Sequence, residues 1–161
     1  MLKYVDTAIV FSEIPGEITL AINISGCPNH CEGCHSKYLW KDYGEILNKE
    51  SLFSLIEKNQ GITCVCLMGG DQAPNTISWL AKCIKEDYPK LKVGWYSGKD
   101  SLSQDIYTEF FDYIKLGSYI ENLGPLNNPN TNQRLYSYSK FFSDHSIIGK
   151  GWRDITYKFW K

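Results

Sequence analysis

The chain has 161 residues, 43% of them hydrophobic, and a formal net charge of −1. That fits one domain with a full core, and near-neutral charge gives no electrostatic footprint for nucleic acid or an anionic membrane. No apolar run approaches the ~20 residues that span a bilayer, and Met1 to Val10 lacks the order of a signal peptide, so a cytoplasmic chain with reduced thiols is expected, in which close cysteines bind metal rather than form disulfides.

In chain order, Tyr4 to Phe11 is β-rich and reads as a first edge strand. Ile14-Pro15-Gly16-Glu17 is a turn, and Ile18 to Ile24 reads as a buried strand. A loop with Cys27, Cys31 and Cys34 follows its C-terminal end. Tyr38 to Leu47 is mixed, punctuated by Gly44. Asn48 caps an expected helix from Lys49 to Lys58, with Leu52, Phe53, Leu55 and Ile56 on one face and Gly61 as its stop. Ile62 to Met68 is a short apolar run suited to a central parallel strand, ending in Gly69-Gly70-Asp71.

Asn75 is the expected cap of a second helix to about Glu86, with Ile77, Leu80, Cys83 and Ile84 at helical spacing. Leu91 to Ser97 reads as a strand stopped by Gly98. Ser103 is expected to cap a short helix through Phe110, before a strand over Asp112 to Leu116. Alternating strands and helices predict a parallel α/β sheet with right-handed crossovers. Ligands of such sheets bind beyond the carboxyl ends of the strands, where the cysteine loop, Gly69-Gly70-Asp71 and Ser97-Gly98 all fall. Residues 117–133 fade into Asn, Pro and Gly, a loop long enough to expect a function at an interface and mobility without a partner. Arg134 to Tyr138 reads as another strand. The aromatic tail from Trp152 to Lys161 reads as well as a strand as a helix. One domain over 1–161 is expected, with a functional loop at 118–133 and an extended tail at 139–161.

The spacing Cys27-x3-Cys31-x2-Cys34 clusters thiols as a soft-metal site. Three thiolates hold three irons of a 4Fe–4S cluster and leave the fourth open to an outside ligand. Zinc held by the three cysteines with His30 or His35 is an alternative. Cys31-Glu32-Gly33-Cys34-His35 also reads as a haem c attachment pattern, which needs export and leaves Cys27 unexplained. A thioredoxin-like pair leaves the third cysteine over. Cys64 and Cys66 share a face of a buried strand, Cys83 lies on the apolar side of a helix, and all three read as structural. His145 reads as exposed. Alone, Gly69-Gly70-Asp71 reads as a strand-to-helix turn.

Taken together, Ile24-Ser25-Gly26-Cys27, the three-cysteine spacing with Gly33 before Cys34, Met68-Gly69-Gly70-Asp71, Trp95-Tyr96-Ser97-Gly98 and Asn132-Gln133-Arg134 resemble the radical S-adenosylmethionine superfamily. More narrowly they resemble the activating proteins of anaerobic (class III) ribonucleoside-triphosphate reductases. The resemblance runs from about Asp6 to Tyr136. It implies a small partial (β/α) barrel of mostly parallel strands with flanking helices, open on one side. It implies a 4Fe–4S cluster on Cys27, Cys31 and Cys34, with S-adenosylmethionine chelated at the open iron. Gly69, Gly70 and Asp71 would meet the cofactor's ammonium. Gly33 and His35 would line its adenine, although His35 reads equally as a plain loop histidine. Ser97 and Lys115 would make further contacts, Lys115 because Leu116-Gly117 stands where family members often have Asp-Gly. The implied activity is an oxidoreductase that places a glycyl radical on the large reductase subunit, supplied by a flavodoxin- or ferredoxin-type donor. Competing readings are a radical enzyme acting on a small molecule, such as a deazaguanine-forming ring contraction, and a zinc-binding module.

Overall fold

The computed structural model describes residues 1–160, so of the aromatic tail only Lys161 lies outside the described residues. Eight strands form one sheet in the order β3-β1-β2-β4-β5-β6-β7-β8. They are β1 (Lys3–Val10), β2 (Thr19–Ile24), β3 (Glu45–Ile46), β4 (Cys64–Met68), β5 (Lys92–Tyr96), β6 (Tyr113–Leu116), β7 (Arg134–Tyr138) and β8 (Trp152–Asp154). β2, β4, β5 and β6 run parallel. The four outer pairings are antiparallel. The expected mostly parallel barrel is therefore a mixed sheet. Its terminal strands β3 and β8 do not pair, so no barrel closes. β1, expected at an edge, is covered by the two residues of β3.

Composition explains the division. β2, β4 and β6 are buried almost along their whole length, as strands covered on both faces must be. β1 carries mostly partly buried and exposed residues and sits beyond the helices' cover. Helix α1 (Lys49–Lys58) starts at Asn48, whose side chain accepts from Ser51 N while Ser51 Oγ accepts from Asn48 N. This reciprocal cap satisfies two otherwise orphaned donors. The helix ends at Asn59, two residues before the expected Gly61 stop.

Helix α2 (Pro74–Asp87) begins one turn position before the expected Asn75 cap. Proline is pre-set for the first helical position, so Ala73 becomes the boundary residue and Asn75 lies inside the first turn. Between β5 and β6 the expected helix from Ser103 is absent; only a 3-10 turn, Thr108–Phe110, forms. The Ser103 hydroxyl accepts from Asp105 N, a local turn bond that competes with helix. The sheet thus has two flanking helices rather than three. The tail resolves into β8 and a 3-10 turn, Thr156–Phe159.

Two apolar clusters occupy opposite faces of the sheet. On one, Leu52 and Ile56 of α1 and Ile77, Leu80, Ala81 and Ile84 of α2 pack on Leu20, Ile22, Val65, Leu67, Val93 and Trp95. Each fully buried aliphatic side chain there contributes about 1.5–3 kcal/mol. The other face carries Cys64, Cys66, Tyr113 and Leu135, capped by Ile14 and Ile155. Ile14 is fully buried because the β1–β2 connection folds back over this face. The Tyr96 hydroxyl donates to Glu13 O, and the Tyr113 hydroxyl donates to Glu17 Oε2 at 2.6 Å. The connection so covers this face from Tyr113 at the start of β6 to Tyr96 at the end of β5.

Candidate metal centre

The cysteine loop leaves the C-terminal end of β2. Gly26, at φ +76°, turns the chain, and Gln72 Nε2 donates to Ser25 O at 2.7 Å, fixing the exit to the Gly69-Gly70-Asp71 segment. Cys27 N donates to Leu39 O at 2.9 Å and Gly26 N to Lys41 O at 3.1 Å, so the segment after the loop is laced back onto its start. Cys34 N donates to Cys31 O at 3.1 Å. All three thiols are free and half-buried. Two already receive donors: Ser36 N points at Cys34 Sγ (3.3 Å) and Asn29 Nδ2 at Cys27 Sγ (3.6 Å). Donors to sulfur of this kind stabilise a thiolate and tune a bound cluster.

Among the described residues, no three His, Cys, Asp or Glu side chains converge on a position for one metal ion. A structural zinc needs four ligands at about 2.0–2.3 Å from a single point. A 4Fe–4S cluster takes each thiolate on a different iron, so its sulfurs need not converge. His30 is stacked on Trp40, with centroids 4.5 Å apart and planes 4° apart. His35 packs edge-on to Tyr119 at 5.3 Å. Both imidazoles are engaged with aromatic neighbours, and neither completes a zinc site. Three free, half-buried thiols on one turn fit a cluster better than a single ion.

Asp71 is the clamp of the site. Its Oδ2 accepts from Asn29 Nδ2 (2.7 Å) and Gly98 N (2.8 Å), and its Oδ1 from Ser97 Oγ (2.5 Å). One carboxylate thus ties the cysteine loop to the ends of β4 and β5. A carboxylate has about four acceptor sites, so three intrachain donors leave it little capacity for a ligand. The neighbouring carbonyls are engaged as well. Gly69 O accepts from Trp95 Nε1 at 2.7 Å, and Gly70 O from Ala73 N at 3.0 Å.

Sequence reasoning assigned Gly69 and Gly70 to close approach by a ligand. The structure gives them an internal reason. A Cβ on Gly70 would lie 2.7 Å from Ile77 Cγ1, and one on Gly69 would lie 3.2 Å from Ile24 O. Both have positive φ, +90° and +112°, which favours glycine. They let β4 turn tightly into α2.

Lys115 lies on the same face as Tyr96, which it pairs with across the β5–β6 ladder. It is almost completely buried. Its ammonium donates to Gly117 O at 3.0 Å and stands 5.7 Å from the Tyr96 ring centroid. Burial lowers its pKa to about 8, opposed by the negative charge of Asp71 and of Cys31 and Cys27 as thiolates. By contrast, burial pushes the Cys64 thiol up to about 12 and the Cys66 thiol well above its ordinary range. These two, with buried Cys83, are inert small hydrophobes as the sequence indicated. His145 is exposed.

Residues 117–133 lie against the cysteine loop. A Cβ on Gly33 would come within 3.0 Å of Glu121, and the Tyr119 hydroxyl is 3.4 Å from His35 Nε2. Gly33 and His35 thus face this loop. It is stitched internally by Thr131 Oγ1 to Gly124 O and Asn132 Nδ2 to Ser118 O, and Trp160 Nε1 donates to Leu126 O. Asn29, Tyr119 and Glu121 escaped the sequence reading. Asn29 could have been singled out as an amide inside the cysteine loop; the other two carry no local signal. A cavity of about 520 Å³ opens beside Tyr96, lined by Glu13, Tyr96, Leu126, Gln133 and Lys158 among others.

No helix among the described residues is long and apolar enough to cross a membrane. No curated protein and no solved structure matches the chain. Residues 15–123 match the model of a family described as a 4Fe-4S single cluster domain. That span holds the three-cysteine loop, the Asp71 clamp and Lys115, and the chain belongs to this 4Fe–4S single-cluster family.

Proposed function

We propose that the protein is a radical S-adenosylmethionine activating enzyme. Cys27, Cys31 and Cys34 hold a 4Fe–4S cluster with one iron open. The protein substrate is a glycine-bearing segment of an anaerobic ribonucleoside-triphosphate reductase. The observation that carries this reading is the convergence of the cysteine loop, Gly69-Gly70-Asp71 and Ser97-Gly98 on the ends of three adjacent parallel strands, bound together by Asp71. When bound, a reduced cluster would donate one electron to S-adenosylmethionine, and the pair would supply the one-electron chemistry needed to take a hydrogen atom from a glycine.

The chain's own residues orient and insulate. Asp71 fixes the cysteine loop against the sheet, so the thiolates are pre-positioned rather than ordered on binding. Lys115, a buried cation whose charge Asp71, Cys31 and Cys27 as anions favour, is the chain's candidate to meet a carboxylate. Ser97 and Gly98 orient Asp71. Tyr96 and Gln133 line the cavity through which a peptide would approach, and Tyr119 and Glu121 close the opposite side over His35 and Gly33. The cavity volume suits a small molecule too, which keeps the small-molecule enzyme as the second reading.

Anaerobic reconstitution separates the readings. A brown protein that cleaves S-adenosylmethionine with dithionite, and gives a glycyl doublet by electron paramagnetic resonance with the reductase, supports the activase. Cleavage with no doublet turns the assignment to a small-molecule substrate. A colourless zinc protein ends both.

A further inference from the structure

Beside the cysteine loop, and with no residue of 117–133 in its lining, the segment after Cys34 forms with His30 a second concavity of about 600 Å³. Its lining is His30, Lys37, Tyr38, Trp40, Lys41 and Tyr43, with no carboxylate among them. Trp40 is held between two cationic or ionisable groups. His30 stacks flat on its ring, and Lys37 Nζ stands 5.8 Å from the ring centroid. Tyr38 and Tyr43 are 44% and 41% exposed, large aromatics at a rim where water reaches them. Of the acids in the surrounding segments, Asp42 forms an exposed pair with Lys3 at 3.5 Å, Asp6 accepts from Asn23 at 2.6 Å, and Glu32 is exposed on the cysteine loop. The surface is therefore an aromatic platform with a basic rim. Binding hot spots have this composition, and a lining with two lysines and no carboxylate favours an acidic partner.

Its position narrows the partner's chemistry. Leu39 O and Lys41 O accept from Cys27 N and Gly26 N, so the groove wall is hydrogen-bonded directly to the cysteine loop. His30 immediately precedes Cys31. The substrate cavity, with Glu13, Gln133 and Lys158, draws on none of these residues. A partner seated on Trp40 would lie next to the thiols without obstructing that cavity. Such a site would let a donor reduce the cluster without displacing the substrate.

We infer that the groove formed by His30, Lys37, Tyr38, Trp40, Lys41 and Tyr43 docks a small acidic one-electron carrier protein. This rests on the activase reading, which requires a reductant. At this surface one electron passes from the reduced carrier, which is oxidised, to the cluster, which is reduced; no covalent bond forms or breaks.

The test uses reconstituted protein and a flavodoxin as probe. Affinity for oxidised flavodoxin is measured by titration calorimetry, independent of turnover, and cluster reduction by flavodoxin hydroquinone is followed by stopped-flow. The wild type should bind, with affinity falling as salt rises through the screening range. The K37E/K41E variant should weaken binding roughly tenfold or more while dithionite reduces its cluster at the wild-type rate. K90E, a charge reversal on the exposed turn after α2, should bind as wild type does. Unchanged affinity and rate in K37E/K41E would overturn the proposal while leaving the activase reading intact. So would a dimer of this chain that the double variant dissociates with no effect on flavodoxin. A wild-type cluster that dithionite itself cannot reduce would defeat the underlying reading first.

Discussion

Removing the Asp71 carboxylate should detach the cysteine loop from the sheet. A hydrogen bond to an ionised acceptor contributes about 1.5–3 kcal/mol, and Asp71 accepts three, from Asn29, Ser97 and Gly98. The residue is partly exposed, so water recovers part of the loss. Asp71→Ala should then cost about 3 kcal/mol. Asp71→Asn keeps the shape, and its amide oxygen can serve Asn29 and Gly98 while its NH2 donates to Ser97 Oγ. That variant loses charge assistance alone, about 1 kcal/mol. Urea unfolding of the cluster-free protein measures both, and hydrogen exchange localises the change. Faster exchange over residues 27–35 in Asp71→Ala, with α1 unaffected until global unfolding, is the expected signature. If Asp71→Ala matched the wild type within about 0.5 kcal/mol and the loop's exchange did not change, the clamp would not exist. Asp71 would then be free to act as a ligand group.

Lys115 gives a pH signature. Its folded pKa, about 8, lies below the ordinary 10.5 because it is buried. The unfolded chain therefore binds more protons between those values, and stability should rise as pH passes upward through 8, by as much as 1.4 kcal/mol per pH unit. Below pH 8 the buried cation is a standing cost, so Lys115→Met should stabilise the cluster-free protein at pH 7 by about 2–3 kcal/mol and abolish the rise between pH 8 and 9. A variant no more stable than the wild type, with the rise intact, would refute this. Above pH 9 the sign reverses for Cys64, whose folded pKa of about 12 stands above the ordinary 9.0; stability it contributes is lost from there upward. Gly70→Ala forces a Cβ into Ile77 at φ +90° and should cost about 2–4 kcal/mol by urea midpoint; a cost under 0.5 would show that the turn relaxes freely. Cys31→Ser should lose bound iron yet unfold like the wild type without it. Cys66→Ser, fully buried, should keep iron and lose about 1–3 kcal/mol. The reverse assignment by iron analysis would exchange their roles.

The sequence showed what local chemistry decides. Continuous apolar runs marked β2, β4 and β6, and the Asn48 cap with its apolar face marked α1. The three-cysteine spacing and the placement of the site loops at strand ends were legible for the same reason. Where neighbours compete, the outcome was not legible. Pro74 took the start of α2 from Asn75, and the Ser103 turn replaced a helix. The antiparallel β7 and β8 joined the sheet through pairings whose register no local pattern encodes. The Asn29–Asp71 bond spans 42 residues, and the fit of Gly70 to Ile77 needs the helix in place. Both contacts belong to the folded site and leave no trace in a local window.

The central claim is a cluster held by three sulfurs with one iron left to an outside ligand. Mössbauer spectroscopy of the anaerobically reconstituted protein, with and without S-adenosylmethionine, tests it most directly. About four irons per chain should bind, with one of the four changing its isomer shift when S-adenosylmethionine is added. Four irons that ignore S-adenosylmethionine, or iron retained when Cys27, Cys31 and Cys34 are all alanine, would contradict it.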